Sequence, residues 1–358
     1  MMYALVYIVP LSLITFALGY GERNQRNGVP LQEFILFSMP LLLLVVLRGD
    51  VGTDTATYID QLKLRLSGDE LIYGDFEPGF EWFSRGLLFL TQNARLSVNL
   101  LSLLNAILML AVLRLWGVSP FAAACTILPA FFFEYSMNTL RIGLAFPLVV
   151  LSVLCFERVR PWIGLALLVI AVSMQYTSAL LFATLYFPQF AKIRLNKTSL
   201  AMLLLVVVGV MLVSPIVIER LVAKAAFYEL TEKPSSSSGV ALIGFSLILA
   251  LLSAKAASLQ RSWQTFAIAA VMVAFQFAAF YVTQITYAGI RIQLLFFFAQ
   301  ILHFLRNSVC VFDNPRTNFI VFICLWALFL GWKVNSYSIE DSANPSPFLP
   351  YAFFFLTD

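Results

Sequence analysis

Charged residues are scarce in this chain, and histidine is almost absent. Only 12% of the 358 residues are charged, whereas 61% are hydrophobic, and the mean hydropathy is +0.88. Soluble globular domains carry about a quarter charged residues, so the composition excludes a protein that covers itself with polar surface. The single histidine, His303, lies in an apolar run, which excludes a metal site built from several imidazole groups.

The cysteines are few as well, and their spacing carries no signature of a site. Four cysteines lie inside or beside apolar runs without C-x-x-C spacing. This pattern argues against a zinc site and against a disulfide framework, and it is typical of small residues buried in a membrane protein. We therefore expect no metal and no cofactor.

Long apolar segments recur along the whole chain. A spanning helix needs roughly 20 apolar residues, and twelve segments meet or approach this length. They are residues 2–20, 31–47, 97–115, 119–135, 139–156, 161–174, 176–190, 199–218, 239–254, 263–285, 289–305 and 317–332. The sequence thus predicts an all-α, polytopic transmembrane bundle of about 12 helices in a single domain, 1–358. Residues 2–20 lack a basic n-region and a cleavage site, so they are expected to be the first helix.

Three polar stretches, 48–96, 219–238 and the tail 333–358, are predicted to be large loops on one side of the membrane. The short loops of the other side carry twelve of the 23 basic residues but only four of the 19 acidic ones. Basic loops stay in the cytoplasm, so the three large stretches are expected to face outward. The expected location is the inner membrane, with the periplasm as the outer compartment.

The outward stretch 48–96 holds the densest group of residues suited to chemistry. Arg48 ends a predicted membrane helix, so its guanidinium is expected at headgroup depth, and Gly52 permits a tight turn of anion-binding backbone N–H groups. Asp54 and Glu77 supply carboxylates. The alternative is a solvated acidic loop capped by an interfacial arginine, but a loop of this length in a compact protein favours function.

Two further arginines begin predicted helices at the same face. Asn138 and Arg141 are three residues apart, so both project from one side of a helix, and Asn138 is a candidate N-cap. Arg291 begins another helix, where a charge near the membrane boundary requires a partner. The alternatives are a snorkelling side chain for Arg141 and a structural ion pair for Arg291.

Arg48, Arg141 and Arg291 are therefore expected to converge at the outward membrane boundary. Guanidinium groups bind phosphate through two parallel hydrogen bonds and stay charged. A lipid-linked pyrophosphate places its charge at this depth while its chain remains in the bilayer. The residues thus predict a site for a polyprenyl-diphosphate sugar donor.

The same clusters resemble the EpsG-like family of Wzy-type polysaccharide polymerases. The family pattern is an Arg followed by G-x-D and a Tyr, then E-P-G-F, then N-x-x-R-x-G-x-A. The matching residues are Arg48, Gly52, Asp54, Tyr58, Glu77-Pro78-Gly79-Phe80, Asn138, Arg141, Gly143 and Ala145. The likeness covers about residues 30 to 190, with a weaker match at Arg291 and Tyr351. In one departure, Gln175 stands where the family commonly has a histidine, so any base is expected to be a carboxylate.

The resemblance implies a GT-C-like fold and a metal-independent glycosyltransferase. A growing glycan on undecaprenyl diphosphate would move to the non-reducing sugar hydroxyl of an incoming lipid-linked repeat unit, in O-antigen, capsule or exopolysaccharide synthesis. Such a transfer needs cations on the leaving diphosphate and a carboxylate for the proton of the attacking hydroxyl. Arg141, Arg291 and Arg48 are expected on the diphosphates, and Asp54 or Glu77 as the base. Other expected substrate-binding residues are Tyr58, Asn138, Gln175 and Tyr351.

The expected partners are the lipid bilayer and the undecaprenyl-diphosphate-linked oligosaccharide, with a chain-length regulator and a flippase of the same pathway as further candidates and no nucleic acid. The alternatives are an O-antigen ligase-like glycosyltransferase, a glycan transporter or flippase, and a structural scaffold. Transporters usually have paired broken helices in two similar halves, and this sequence has no such symmetry. A flippase moves bonds intact, so it would tolerate loss of Asp54 and Glu77.

Overall fold

The structure of the protein is a computed structural model. It describes residues 4–24, 29–68, 76–116, 119–158, 160–190, 239–260, 262–284, 288–307, 311–338, 348–349, 351 and 353. Apart from turns and one isolated β-bridge, the elements in these residues are helices, so the prediction of an all-α protein is confirmed for this part of the chain. The chain divides into two compact units, residues 1–182 with 304–358, and residues 183–303.

Thirteen α-helices lie in the described residues. They are α1 Leu5–Asn24, α2 Leu31–Val46, α3 Thr53–Ser67, α4 Pro78–Thr91, α5 Ala94–Trp116, α6 Pro120–Ile127, α7 Leu140–Glu157, α8 Pro161–Met174, α9 Ser178–Phe190, α10 Val240–Gln260, α11 Trp263–Thr283, α12 Ala288–Asn307 and α13 Pro315–Ser338. Seven of these helices, α1, α5, α7 and α10 to α13, are long and apolar enough to cross a membrane. The chain is therefore a multi-pass membrane protein.

Eleven of the twelve predicted membrane segments coincide with these helices. The predicted segment 199–218 and the predicted loop 219–238 lie outside the described residues, so the count of twelve stays a prediction. Three of the coinciding elements are shorter apolar helices: α2, α8 and the stretch Pro120–Phe132 that starts with α6. α13 continues to Ser338, so Lys333 lies inside a helix and not at the start of the tail.

The stretch 48–96 differs from the irregular loop that its polarity suggested, because it contains α3 and α4. Gly68 closes α3 in the left-handed conformation, and Pro78 occupies the first turn of α4, where a proline loses no helical hydrogen bond. α4 buries Phe80, Glu81, Ser84 and Leu88, which recur with helical spacing on one face. This periodicity was the available sign of a helix in a segment too short and too polar to span a membrane.

α6 continues into two π-helical segments, Leu128–Phe132 and Glu134–Asn138, whose backbone is wound more loosely than an α-helix. Pro129 lies in the first of these segments and has no N–H to donate to the α-helical ladder. The second segment ends where the N–H of Thr139 donates to the carbonyl of Glu134, at 2.9 Å. α7 then begins at Leu140, so the last carbonyls of the π segment need partners from elsewhere.

One end of the first unit brings together segments that the count of basic residues assigned to a single side. At the end of α1, Glu22 accepts a hydrogen bond from Ser119 Oγ at 2.7 Å. Arg306 pairs with Glu157 at 2.5 Å between the ends of α12 and α7. Within each of these pairs, the two segments therefore lie at the same end, as the predicted topology requires. Which end faces the cytoplasm stays a prediction.

Polar side chains inside the apolar helices of the second unit form hydrogen bonds with each other and with the backbone. Gln276 Nε2 donates to the carbonyl of Gln293 at 3.0 Å, and Ser246 Oγ donates to Gln300 Oε1 at 2.6 Å. The single histidine, His303, lies within 3.1 Å of the carbonyl of Thr184. Such pairs hold helices together where water is absent.

Candidate functional site

Arg48 lies just after α2 and is fully buried, with 0% of its surface exposed. Its Nη1 donates to the carbonyls of Met137 and Val51, the latter at 3.3 Å, and its Nη2 donates to Ser102 Oγ at 2.7 Å. Burial lowers the pKa of Arg48 to about 9, against an opposing effect of neighbouring tyrosines, and leaves it cationic at neutral pH. Arg48 thus joins the residues just before α3 to α5 and to the second π-helical segment. Binding of a diphosphate by Arg48 stays a prediction.

Two of the three glycines of the family pattern, Gly52 and Gly143, lie where the backbone closely approaches its neighbours. Gly52 has φ +99°, and a Cβ there would meet the carbonyl oxygen of Met137 at 2.6 Å. A Cβ on Gly143 would overlap the carbonyl oxygen of Tyr135 and the amide of Asn105. That amide donates to the Tyr135 carbonyl at 2.9 Å. Both glycines are therefore required by the packing around the end of the π segment.

Asn138 connects α3 to the half-buried carboxylate of Glu134. Its Oδ1 accepts from the backbone N–H of Asp54 at 2.9 Å, and its Nδ2 donates to Glu134 Oε1 at 3.0 Å. Lys333 Nζ, from α13, lies 3.3 Å from Glu134 Oε2. The expectation that Asn138 caps α7 is therefore wrong: Thr139 precedes that helix, and Asn138 satisfies a first-turn N–H of α3 instead.

Arg141, in the first turn of α7, forms an ion pair with Glu77. The Glu77 side chain is 4% exposed and that of Arg141 is 18% exposed. Tyr58 adds a side-chain hydrogen bond to the guanidinium, and the ring of Phe76 lies 5.3 Å from the guanidinium carbon. A buried ion pair offsets its desolvation only when further polar or aromatic groups surround it, and these contacts supply them.

Aromatic rings form one wall beside this ion pair. The ring centroids of Tyr58, Phe76 and Phe80 lie 5.2 to 5.7 Å apart in tilted and edge-on arrangements. Such geometries are favourable between aromatic quadrupoles. The E-P-G-F segment therefore contributes a charge at Glu77 and part of an apolar wall at Phe80.

The C-terminal tail returns to the same region. Tyr351 donates from its hydroxyl to the carbonyl of Leu44 at 2.6 Å, and Phe353 forms an isolated antiparallel bridge with Arg48. Burial raises the pKa of Tyr351 to about 12, so its hydroxyl stays protonated at neutral pH. Tyr351 thus lies beside the predicted cluster, although more than 200 residues separate it from Arg141 in sequence.

Two predicted residues remain. Gln175 is half-buried and follows α8, and Gly79 of α4 lies against Ser173 near the end of that helix. Gln175 is therefore two residues away in sequence from Ser173, which contacts the E-P-G-F segment. Arg291 is half-buried in the first turn of α12, within the second unit, and its convergence with Arg48 and Arg141 stays a prediction.

Sequence reasoning missed Glu134 and Lys333 as partners in this network. A signal was available in both cases. Lys333 interrupts an apolar helix of 23 residues, and Glu134 lies within a buried apolar stretch. An ionisable residue in such a position implies an internal partner of opposite charge. Asn105, a neutral polar residue in the middle of α5, instead donates hydrogen bonds to the carbonyls of Tyr135 and Leu140.

Fold and site together define a multi-pass membrane protein in which arginine, lysine and carboxylate side chains meet at one end of the first unit. The EpsG family model matches residues 33–353, and the chain belongs to the EpsG family. EpsG-like polymerases are in the Wzy-type group, so membership indicates a polysaccharide polymerase-type role. A search of curated proteins and a search of solved structures each gave no match.

Proposed function

We propose that this protein polymerises lipid-linked oligosaccharide repeat units at the periplasmic face of the inner membrane. The growing glycan would leave undecaprenyl diphosphate and join the non-reducing end of an incoming repeat unit. The reaction would run as a metal-independent glycosyl transfer. Family membership supports the polymerase-type role, and the distribution of basic residues supports the orientation.

The observation that carries the proposal is the convergence of three sequence-distant motifs. Arg48 donates to the carbonyl of Met137, and Asn138 accepts from the backbone N–H of Asp54. Arg141, three residues further on, pairs with Glu77. Residues from motifs that lie far apart in the sequence are thus in direct contact. A structural role alone would not require so many charged groups at one end of a membrane protein, because burying each of them is costly.

The contacts also divide the roles among the charged residues. Arg141 is partly exposed and suits stabilisation of the leaving diphosphate, whereas Arg48 is enclosed and suits positioning of the π segment. Glu77 is buried against Arg141 and suits orientation of that guanidinium. Asp54 is half-buried on α3 and is the better candidate for accepting the proton of the attacking hydroxyl.

The remaining predicted residues would line the substrate site. Tyr58 would orient Arg141 through its hydrogen bond, and Asn138 would position Asp54 through the backbone N–H. Gln175 and Tyr351 would contact the sugars or the diphosphate as neutral hydrogen-bonding groups. Arg291 would supply a further cation for the diphosphate.

The test is the length distribution of polysaccharide in a deletion strain complemented with Asp54→Asn, Glu77→Gln or Arg141→Gln. Each variant is expected to retain single repeat units and to lose polymer, with Asp54→Asn reducing the rate by about 10²- to 10⁴-fold. Asp60→Asn, an exposed acid on the same helix as Asp54, is the matched control and should keep the normal ladder. Immunoblots of membranes confirm equal amounts of protein.

Two outcomes would contradict the proposal. Normal ladders from all three variants would leave a transporter or a scaffold as the better description, because neither needs these side chains for bond formation. Loss of the single repeat units from the outer leaflet, with units accumulating inside, would indicate a flippase.

A further inference from the structure

Glu134 and Lys333 form an ion pair to which the proposed reaction gives no role. Glu134 begins the second π-helical segment, Glu134–Asn138, and Lys333 lies in α13. Lys333 Nζ is 3.3 Å from Glu134 Oε2, and the side chains of Lys333 and Glu134 are 7% and 15% exposed. Lys333 lies about one turn before the end of a candidate span, where a lysine ordinarily extends toward water. Its low exposure therefore marks the contact with Glu134 as a specific one.

The other carboxylate oxygen of Glu134 orients the side-chain amide of Asn138. Asn138 Nδ2 donates to Glu134 Oε1 at 3.0 Å, and Asn138 Oδ1 accepts from the backbone N–H of Asp54 at 2.9 Å. A carboxylate accepts hydrogen bonds and donates none, so it favours the amide orientation in which the NH₂ group faces Glu134. The amide oxygen then faces the first turn of α3, whose N–H groups need acceptors from outside the helix.

The residue before Asn138 contacts the next residue of α3. The carbonyl oxygen of Met137 lies 3.0 Å from Thr55 Oγ1, within hydrogen-bond distance. Two consecutive residues of the second π-helical segment therefore contact two consecutive residues of the first turn of α3. The backbone of Asp54 is held by this double contact, and with it the point from which the Asp54 carboxylate extends.

We propose that Glu134 is a positioning residue that holds the base Asp54 in place. It acts through the Asn138 amide, and Lys333 offsets the cost of keeping the carboxylate of Glu134 away from water. The inference rests on the proposed function for the role of Asp54 as the base, whereas the contact through Asn138 can be tested without it. Proton transfer requires the base within hydrogen-bond reach of the attacking hydroxyl, so a displaced first turn of α3 would slow the chemical step.

Glu134→Gln tests the orientation of the Asn138 amide. Lys333 attracts the carbonyl oxygen of the new glutamine, which turns the glutamine NH₂ group toward Asn138. An amide of Asn138 that flips to accept from this group presents its own NH₂ group to the N–H of Asp54, donor against donor. Adding Lys333→Met leaves the glutamine oxygen able to accept from Asn138 again. The double variant is therefore expected to restore what Glu134→Gln loses.

Lys333→Met alone is the matched control. It breaks the same ion pair as Glu134→Gln, but Glu134 keeps an oxygen that accepts from Asn138. A purely structural ion pair predicts the same local effect for both variants. The positioning role predicts that only Glu134→Gln disturbs the first turn of α3.

The first measurement is amide hydrogen exchange by mass spectrometry on the full-length protein in detergent. Peptides that cover the first turn of α3 are expected to exchange faster in Glu134→Gln than in the wild type, in Lys333→Met or in the double variant. Peptides from α4 are the internal reference and should not change. Equal exchange of α3 in Glu134→Gln and Lys333→Met would overturn the proposal. If Lys333→Met does not fold, exchange in the double variant as fast as in Glu134→Gln overturns it instead.

The second measurement is the polymerisation rate per folded protein with a lipid-linked repeat unit as substrate. Glu134→Gln is expected to lower kcat about 10- to 100-fold at unchanged KM, and the double variant should recover most of this loss. In an Asp54→Asn background, Glu134→Gln should lower the residual rate no further, because no base remains to be positioned. A further loss there would overturn the positioning role. Full polymerisation by Asp54→Asn would instead refute the proposed function, and the exchange comparison would still decide the contact through Asn138.

Discussion

The ion pair between Arg141 and Glu77 offers the sharpest test of the site's energetics. Both side chains are largely buried, at 18% and 4% exposure, so removing one partner leaves a desolvated charge. Breaking a buried pair in this way costs about 3–5 kcal/mol. The Phe76 ring and the Tyr58 hydroxyl continue to stabilise Arg141 when Glu77 is neutral, which places Glu77→Gln near the lower bound, at about 3 kcal/mol.

The double variant is informative because it leaves neither charge alone. Glu77→Gln with Arg141→Gln is expected to cost about as much as either single change, which gives a coupling free energy of about 3 kcal/mol. The assay is unfolding of the purified proteins in detergent, followed by tryptophan fluorescence across a denaturant series. Additive losses within about 0.5 kcal/mol would refute the reasoning, because they would mean that the two side chains do not stabilise each other.

Three further predictions concern the backbone, the buried arginine and the topology. Gly52→Ala is expected to destabilise the protein by about 1–3 kcal/mol in the same unfolding assay, because of its positive φ, whereas Gly86→Ala in α4 should be neutral or stabilising. Arg48→Lys should lower the free energy of unfolding by about 2 kcal/mol, because an ammonium group lacks the planar guanidinium that donates to three acceptors. The amount of polymer should fall only in proportion to the amount of folded protein. In a cysteine-free background, Lys63→Cys should react with an impermeant maleimide added from the periplasmic side, and Arg316→Cys only after permeabilisation; the reverse pattern would invert the topology.

The apolar runs made most of the helices predictable, because spanning a bilayer demands a length and a composition that few other structures need. The runs that became α5 and α7 differ from their predicted bounds by only a few residues. α3 and α4 were missed for the opposite reason. They are not spanning helices, and their signal is an amphipathic spacing of buried residues such as Phe80, Ser84 and Leu88.

The candidate site was predictable as a set of residues but not as a set of contacts. The motifs assigned Arg141 and Glu77 to one site, and the two side chains are in contact, yet nothing in their spacing indicated that they pair with each other. Arg48 was expected at headgroup depth because it ends an apolar run. Its guanidinium donates to the carbonyl of Met137, which lies near the end of the second π-helical segment before α7. Tertiary contacts of this kind have no local sequence pattern.

The charge balance of the cluster gives a reason to test Arg291. The cations Arg48, Arg141 and Lys333 face the carboxylates Asp54, Glu77 and Glu134, so the formal charge of these six residues is zero. Neutrality suits a buried site without substrate, but a diphosphate brings negative charge that a neutral site does not offset. Under the proposed function another cation is needed, and Arg291 is the candidate.

Arg291→Gln is therefore expected to weaken donor use while leaving stability nearly unchanged. In a membrane assay with a lipid-linked repeat unit as substrate, its KM should rise about tenfold, which corresponds to the loss of one charge-assisted phosphate contact. Arg306→Gln on the same helix, whose arginine already pairs with Glu157, should leave KM unaltered although it lowers stability. An unchanged KM for Arg291→Gln would mean that the cluster obtains its extra positive charge elsewhere. Arg141 would then have to exchange Glu77 for the diphosphate, and Glu77→Gln would be expected to lower KM.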